Sequence, residues 1–206
     1  MRALFIIPLL LIFINAQCQL SKIVYGPFAG HTSSNSIKLF LMIKKVDQIS
    51  FILKNKNIQH QKTIQTKAFP EFGKNRAIKI EFANLDPDSE YELGLIVDKK
   101  QLKKTFTLKT LSDKEIADFS FLLGSCAYIP PPFLKPIYPG NEEAIFKHMI
   151  NTPSDFMIWL GDNVYYPLTL KKYKTMYKKH IKYRNIKNYH DFIQSRPNYA
   201  IWDDHD

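Results

Sequence analysis

The spacing of apolar residues changes once along this 206-residue chain, and that change limits what the chain can fold into. Up to residue 110, apolar and polar positions alternate. Ile37, Leu39, Leu41 and Ile43 are interleaved with Lys38, Phe40, Met42 and Lys44. Ile78, Ile80 and Phe82 alternate with Lys79 and Glu81, and the pattern continues through Tyr91 to Val97 and Lys104 to Leu108. A period of two sends successive side chains to opposite faces of a strand. Such strands recurring every roughly 8 to 12 residues between polar turns predict an all-β sandwich, here over residues 19–110. No catalytic cluster stands in this region: His31 and His60 fall in polar stretches without acidic or thiol neighbours, and both are expected in exposed turns.

Residues 111–118 form a polar joint with four charges, and beyond it the texture differs. Phe119 to Leu123, Phe156 to Leu160 and Tyr199 to Trp202 are nearly continuous apolar runs. Runs of this length fit strands buried on both faces, as in a parallel sheet. Between the first two, a helix is expected to open at Asn141, with Glu142 and Glu143 in its first turn, where the helix dipole favours acids. Between the second and third, Leu170, Tyr173, Tyr177 and Ile181 make an apolar stripe predicted to face the sheet. The order β-α-β-α-β follows for residues 119–206. Crossover helices bring the carboxyl ends of parallel strands to one edge, where ligands bind.

The chain opens with Arg2, twelve uncharged residues from Ala3 to Ile14, and the small and polar run Asn15-Ala16-Gln17-Cys18-Gln19. That is the layout of a secretory signal peptide over residues 1–18, with cleavage after Cys18. The apolar stretch is shorter than the ~20 residues a spanning helix needs, so the protein is expected to be exported without a stable membrane anchor. A lipid-modified Cys18, disfavoured by the bulky Gln17, and an N-terminal core helix are the competing readings. After cleavage Cys126 is the one remaining thiol, which excludes an intramolecular disulfide and leaves either an inert buried residue or a ligand.

Composition bears on partners. Apolar residues at 45% and aromatics at 14% exclude wholesale disorder. The 29 Lys and Arg against 19 acids give a net charge of +10, which suits anionic partners. The charge is dispersed rather than blocked, so a compositional habit of the source genome explains it as well.

Chemistry-bearing residues follow each apolar run: Gly124-Ser125-Cys126 the first, Gly161-Asp162-Asn163-Val164-Tyr165 the second, Asp203-Asp204-His205-Asp206 the third. In a parallel sheet, sulfur, carboxylate, phenol and imidazole would emerge together, and a multivalent cation needs such donors in one place. Three carboxylates within four residues repel one another unless solvent or a cation compensates them. A solvated acidic turn and a plain Gly-Asp turn are the bland alternatives.

Two stretches resemble known families. Leu85, Pro87 and Tyr91 are spaced as in the structural corner of fibronectin type III domains. The blocks from Phe121 to Tyr128, Ile158 to Tyr165 and Tyr199 to Asp206 resemble the alkaline phosphatase D (PhoD-like) branch of the calcineurin-like metallophosphoesterases. The resemblance implies an all-β fibronectin-III/Ig-like sandwich followed by the first half of an α/β metallophosphoesterase domain. It also implies an exported phosphoester hydrolase with two or more metal ions, iron and calcium foremost. Asp162 would bridge the ions, Cys126 and Tyr165 would hold one, and Asp204 would hold the other. His205 would act beside the leaving oxygen as proton donor or charge stabiliser, while Asn163 and Asp203 would orient the ligands. The family's domain continues past these blocks, so little or no turnover is expected of the chain ending at Asp206.

The resemblance leaves the substrate open among monoester, diester and phospholipid, and the oligomeric state undetermined. The rival reading is a secreted polyanion- or nucleic-acid-binding module. It rests on Lys171, Lys172, Lys174, Lys178, Lys179, Lys182, Arg184 and Lys187, interleaved with Tyr173, Tyr177, Tyr183 and Tyr189. The bland alternative there is an amphipathic helix with solvated lysines.

Overall fold

The computed structural model describes residues 22–56, 58–115, 118–130, 144–165 and 173–204. The expected leader, the helix start at Asn141, Lys171 and Lys172 of the basic stretch, and His205 with Asp206 lie outside the described residues. The order is β1 (Ile23–Thr32), β2 (Ser36–Lys44), β3 (Gln48–Lys54), β4 (Gln59–Gln65), β5 (Glu71–Phe72), β6 (Asn75–Ala83), β7 (Glu90–Val97), β8 (Lys100–Gln101) and β9 (Phe106–Lys109). There follow β10 (Phe121–Gly124), α1 (Ala144–Asn151), β11 (Phe156–Trp159), α2 (Tyr173–Arg184), α3 (Lys187–Gln194) and β12 (Asn198–Ala200). Sheets run β1-β2-β6-β5, β4-β3-β7-β8 with β9 beside β7, and β10-β11-β12. The chain divides into two compact units, one built on Leu41–Ile78 and Glu90–Leu108, the other on Tyr25–Phe40, Lys79–Ser89 and the chain from Lys109.

In the first unit β3 pairs antiparallel with β4 and with β7, Phe51 standing opposite Leu95 and Leu53 opposite Leu93. The alternating positions Leu41, Ile43, Ile49, Phe51, Leu53, Ile78, Leu93 and Leu95 are all fully buried. Each contributes about 1.5 to 3 kcal/mol by leaving water. Arg76 is buried as well, and its guanidinium donates to Thr66 Oγ1 at 2.9 Å and to Glu71 Oε1 at 2.6 Å. A charge removed from water requires such partners. His31 and His60 occupy β1 and β4, not turns.

In the second unit β10, β11 and β12 pair in parallel, with Gly124 level with Trp159 and Trp159 level with Ala200. Met157 and Trp159 are buried on one face. The Phe146 ring of α1 lies 6.4 Å from Trp159, 4.9 Å from Tyr189 and 5.9 Å from Phe192 of α3. Tyr189, Phe192 and Ile193, spaced to share one helix face, are the buried residues of α3. The buried Arg196 ends α1, donating to the carbonyls of Met149 and Ile150 at 3.0 Å and of Thr152 at 3.1 Å.

Burial of these strands on both faces, as expected from their composition, is met on one face only. The register puts Phe121, Leu123, Phe156, Ile158 and Tyr199 on the opposite face, where Phe121 and Leu123 are exposed. No helix among the described residues covers it. Phe121 and Phe156 stack on each other there at 5.5 Å. The third strand is also shorter than its apolar run. It ends at Ala200; Ile201 N–H makes a last bond to Trp159 O at 3.0 Å, and Trp202 is 80% exposed.

The single helix expected between the second and third strands is two, α2 and α3, separated at Asn185 and Ile186. Of the stripe expected to face the sheet, Leu170 lies outside the described residues, Tyr177 and Ile181 are half-buried, and Tyr173 is 60% exposed, while Tyr183 is the buried residue of α2. Aromatic and aliphatic side chains are scattered around this helix, so their spacing alone names no inward face.

Candidate metal centre

Each strand of the parallel sheet delivers a turn at its carboxyl end, and the level register brings these turns together. Leu160 N–H donates to Gly124 O at 2.8 Å, Cys126 N–H to Gly161 O at 3.3 Å and Ala127 N–H to Asp162 O at 3.0 Å. Ser125 Oγ adds a bond to Gly161 O at 3.0 Å. The third turn is attached through Asn163, whose Nδ2 donates to Ile201 O at 3.2 Å. It also presses on Gly161, where an added Cβ would stand 2.5 Å from Asp203 Cβ and 3.2 Å from Asp203 N. Only a residue without a side chain permits that approach, and Gly161 has φ of +101° as well.

Cys126 and Asp162 also adopt left-handed backbone, with φ of +56° and +54°. For residues with a Cβ this conformation costs of order 1 to 3 kcal/mol and persists where the surroundings impose it. Here the interlaced turn bonds impose it, and both side chains are aimed at one point. Asp162 is buried, and its Oδ2 accepts from Tyr165 Oη at 3.1 Å and from Cys126 Sγ at 3.6 Å. Asp203 and Asp204, both exposed, complete the cluster: each offers a carboxylate oxygen within 4.8 Å of the others and of an Asp162 oxygen. The Cys126 sulfur, then burial, then the hydrogen bond and charge of Asp162, push the Tyr165 phenol well above its ordinary pKa. Without a cation, Tyr165 is therefore a neutral donor.

Donor spacing tests whether these groups suit a metal. Bonds of about 2.1 Å to oxygen and 2.3 Å to sulfur place adjacent ligands of one ion roughly 3.0 to 3.7 Å apart. The Tyr165 and Cys126 distances to Asp162 fall in that range. The three carboxylates, with one oxygen of each within 4.8 Å of the others, can share an oxygen-liganded ion with bonds of about 2.3 to 2.6 Å.

Of the sequence-predicted residues, Cys126, Asp162, Tyr165, Asp203 and Asp204 converge, Asn163 links the second turn to the third strand, and His205 lies outside the described residues. Asp203, expected only to orient other ligands, joins Asp162 and Asp204 in the carboxylate cluster. Sequence reasoning missed Ser125 and Gly161 as the parts that hold the turns together, and it missed Tyr128, whose ring meets Tyr165 edge-on at 5.1 Å. The one available signal was the glycine immediately before an aspartate at a strand end. Tyr183 was also missed as an anchor. Its hydroxyl accepts from Ile129 N–H at 3.3 Å, tying α2 to the turn that carries Cys126.

Fold and edge together describe a β-sandwich in one chain with a parallel α/β sheet whose strand ends can hold a cation. A solved structure described as PhoD is similar in fold, with a TM-score of 0.66 and 16% identity over 90% of this chain and 39% of that one. The chain thus spans about two fifths of that chain's length. The sensor domain of the anti-sigma factor RsgI4 in Pseudobacteroides cellulosolvens matches 47% of the chain at 20% identity and a TM-score of 0.37. The FN5 domain of Drosophila Lar matches 43% at 12% identity and a TM-score of 0.32. No family model matches the chain, and no curated protein matches it by sequence. No helix among the described residues is long and apolar enough to cross a membrane.

Proposed function

We propose that this chain carries the opening part of an α/β metallophosphoesterase domain of the alkaline phosphatase D type, exported and acting on phosphate esters. The observation that supports the reading is the convergence of Cys126 Sγ and Tyr165 Oη on one oxygen of the buried Asp162, with Asp203 and Asp204 alongside. Sulfur and phenol together suit iron, and the carboxylates suit calcium. Cations bound here neutralise the charge of a phosphate ester and activate water. Asp162 would offer its carboxylate to the ions, Cys126 and Tyr165 as thiolate and phenolate would hold one, and Asp204 would hold the other. Asn163 and Asp203 orient these ligands. His205 would act beside the leaving oxygen as proton donor or charge stabiliser.

Metal uptake is the direct test. Adding ferric ion and then calcium to the chelator-treated protein releases protons and produces a visible phenolate-to-iron band. Tyr165→Phe abolishes the band, and Asp162→Ala abolishes uptake of both ions. Absence of uptake by the folded protein would overturn the reading. Little or no hydrolysis of bis(p-nitrophenyl) phosphate is expected of this chain; clear turnover that needs both ions and disappears in Asp162→Ala would overturn that expectation and establish the reaction.

A further inference from the structure

Helix α2 carries Lys174, Lys178, Lys179, Lys182 and Arg184 and no acidic residue. Lys174, Lys178 and Lys182 are exposed and four residues apart, so they form a row along one side, rising about 6 Å from each to the next. None of these three takes part in an ion pair among the described residues. The ion pair nearest in sequence, Lys187 with Asp191, belongs to α3. Like charges at this spacing repel and destabilise a helix unless an anionic partner relieves them. Burial, and then neighbouring Lys182, lower the ammonium pKa of Lys179.

Aromatic rings lie along the same helix. Tyr173 is 60% exposed and stacks on Tyr177 with ring centroids 6.4 Å apart and planes 8° from parallel. Tyr177 is half-buried and backs the exposed Tyr173 ring. An exposed, supported ring bordered by a row of cations is how sequence-tolerant proteins hold a single strand, the ring taking a base and the lysines taking phosphates. An anionic membrane surface would be met by lysines but gives no role to an exposed ring held flat against a second one. The helix is also fastened to the candidate centre, because Tyr183 Oη accepts from Ile129 N–H at 3.3 Å, three residues beyond Cys126.

We infer that α2 is a binding surface for single-stranded nucleic acid, and, resting on the proposed phosphoesterase reading, that such a phosphodiester strand is the substrate class of the neighbouring centre. Binding to α2 needs no metal, so the two readings fail separately. The chelator-treated protein is titrated with a fluorescein-labelled oligothymidylate across a salt series, beside Lys174→Gln/Lys178→Gln/Lys182→Gln and Tyr173→Ala. These positions are exposed, and circular dichroism confirms that each variant is folded. Retention that weakens with salt is expected, with the log–log slope reduced by about 2 in the triple variant. Tyr173→Ala is expected to weaken binding roughly tenfold through lost stacking. No retention at low salt, an unchanged slope in the triple variant, or preferential capture by phosphatidylserine vesicles would overturn the inference. Retention by protein that takes up no metal would leave the binding surface standing and remove the substrate assignment.

Discussion

Gly161→Ala tests the strand-end geometry at its tightest point. The new Cβ would stand 2.5 Å from Asp203 Cβ, where ordinary contact begins at 3.4 Å, so the 203–204 turn must retreat by about 0.9 Å. The opposing atoms are Cβ and backbone, which no rotamer change can move aside. A φ of +101° adds strain of order 1 to 3 kcal/mol for a residue with a side chain, and overpacking costs about 1 to 3 kcal/mol more. Metal–ligand distances are normally held within about 0.2 Å, so a retreat several times larger separates Asp203 and Asp204 from Asp162. Thermal melts in chelator should fall by roughly 5 to 15 °C, and calorimetric calcium affinity should fall by at least tenfold. Gly73→Ala separates the two contributions. Gly73 has φ of +62° but nothing within 4 Å of its added Cβ, so it reports backbone strain alone. If Gly161→Ala melts no lower than Gly73→Ala and binds calcium as wild type does, the close approach of the third turn is refuted.

His180 gives a pH prediction. Burial, and then the charge of Arg184 beside Nδ1 at 2.8 Å, lower its pKa to about 4. The unfolded chain binds this proton near pH 6.5 and the folded chain near 4, so stability is complete above 6.5 and is lost as pH falls toward 4. The loss is on the order of 2 to 3 kcal/mol; urea melts from pH 7 to 4 should show His180→Gln losing less stability than wild type does. Arg196→Ala strips five donor bonds, three from the carbonyls of Met149, Ile150 and Thr152 at the end of α1 and two from Ser154 Oγ and Ser195 Oγ. Denaturant melts should register a loss of about 2 to 4 kcal/mol, with Arg196→Lys recovering only part of it, because an ammonium cannot reproduce the guanidinium fork.

The sandwich was legible because alternation is a local property: Ile37, Leu39, Leu41 and Ile43 read as one face, and all four are buried. The parallel sheet was legible from its three apolar runs, and the cluster from the residues that follow them. Facing was not. Tyr173 and Tyr177 were expected against the sheet, yet Tyr173 is exposed and Tyr183 takes the inward position, anchored by its hydroxyl rather than by hydrophobic spacing. α3 was hidden because its polar residues continue the texture of α2, while its buried residues answer to Phe146 and Trp159, far away in the chain.

The linear order of residues settled which strands form and which donors each strand end carries, since both depend on neighbours a few positions apart. The tertiary structure decided that Gly124, Trp159 and Ala200 stand level, that Gly161 lets the third turn come close, and that the Cys126 thiol meets an oxygen of Asp162. Those outcomes rest on register and contact between segments more than thirty residues apart, and hydrophobic patterning carries no information at that range.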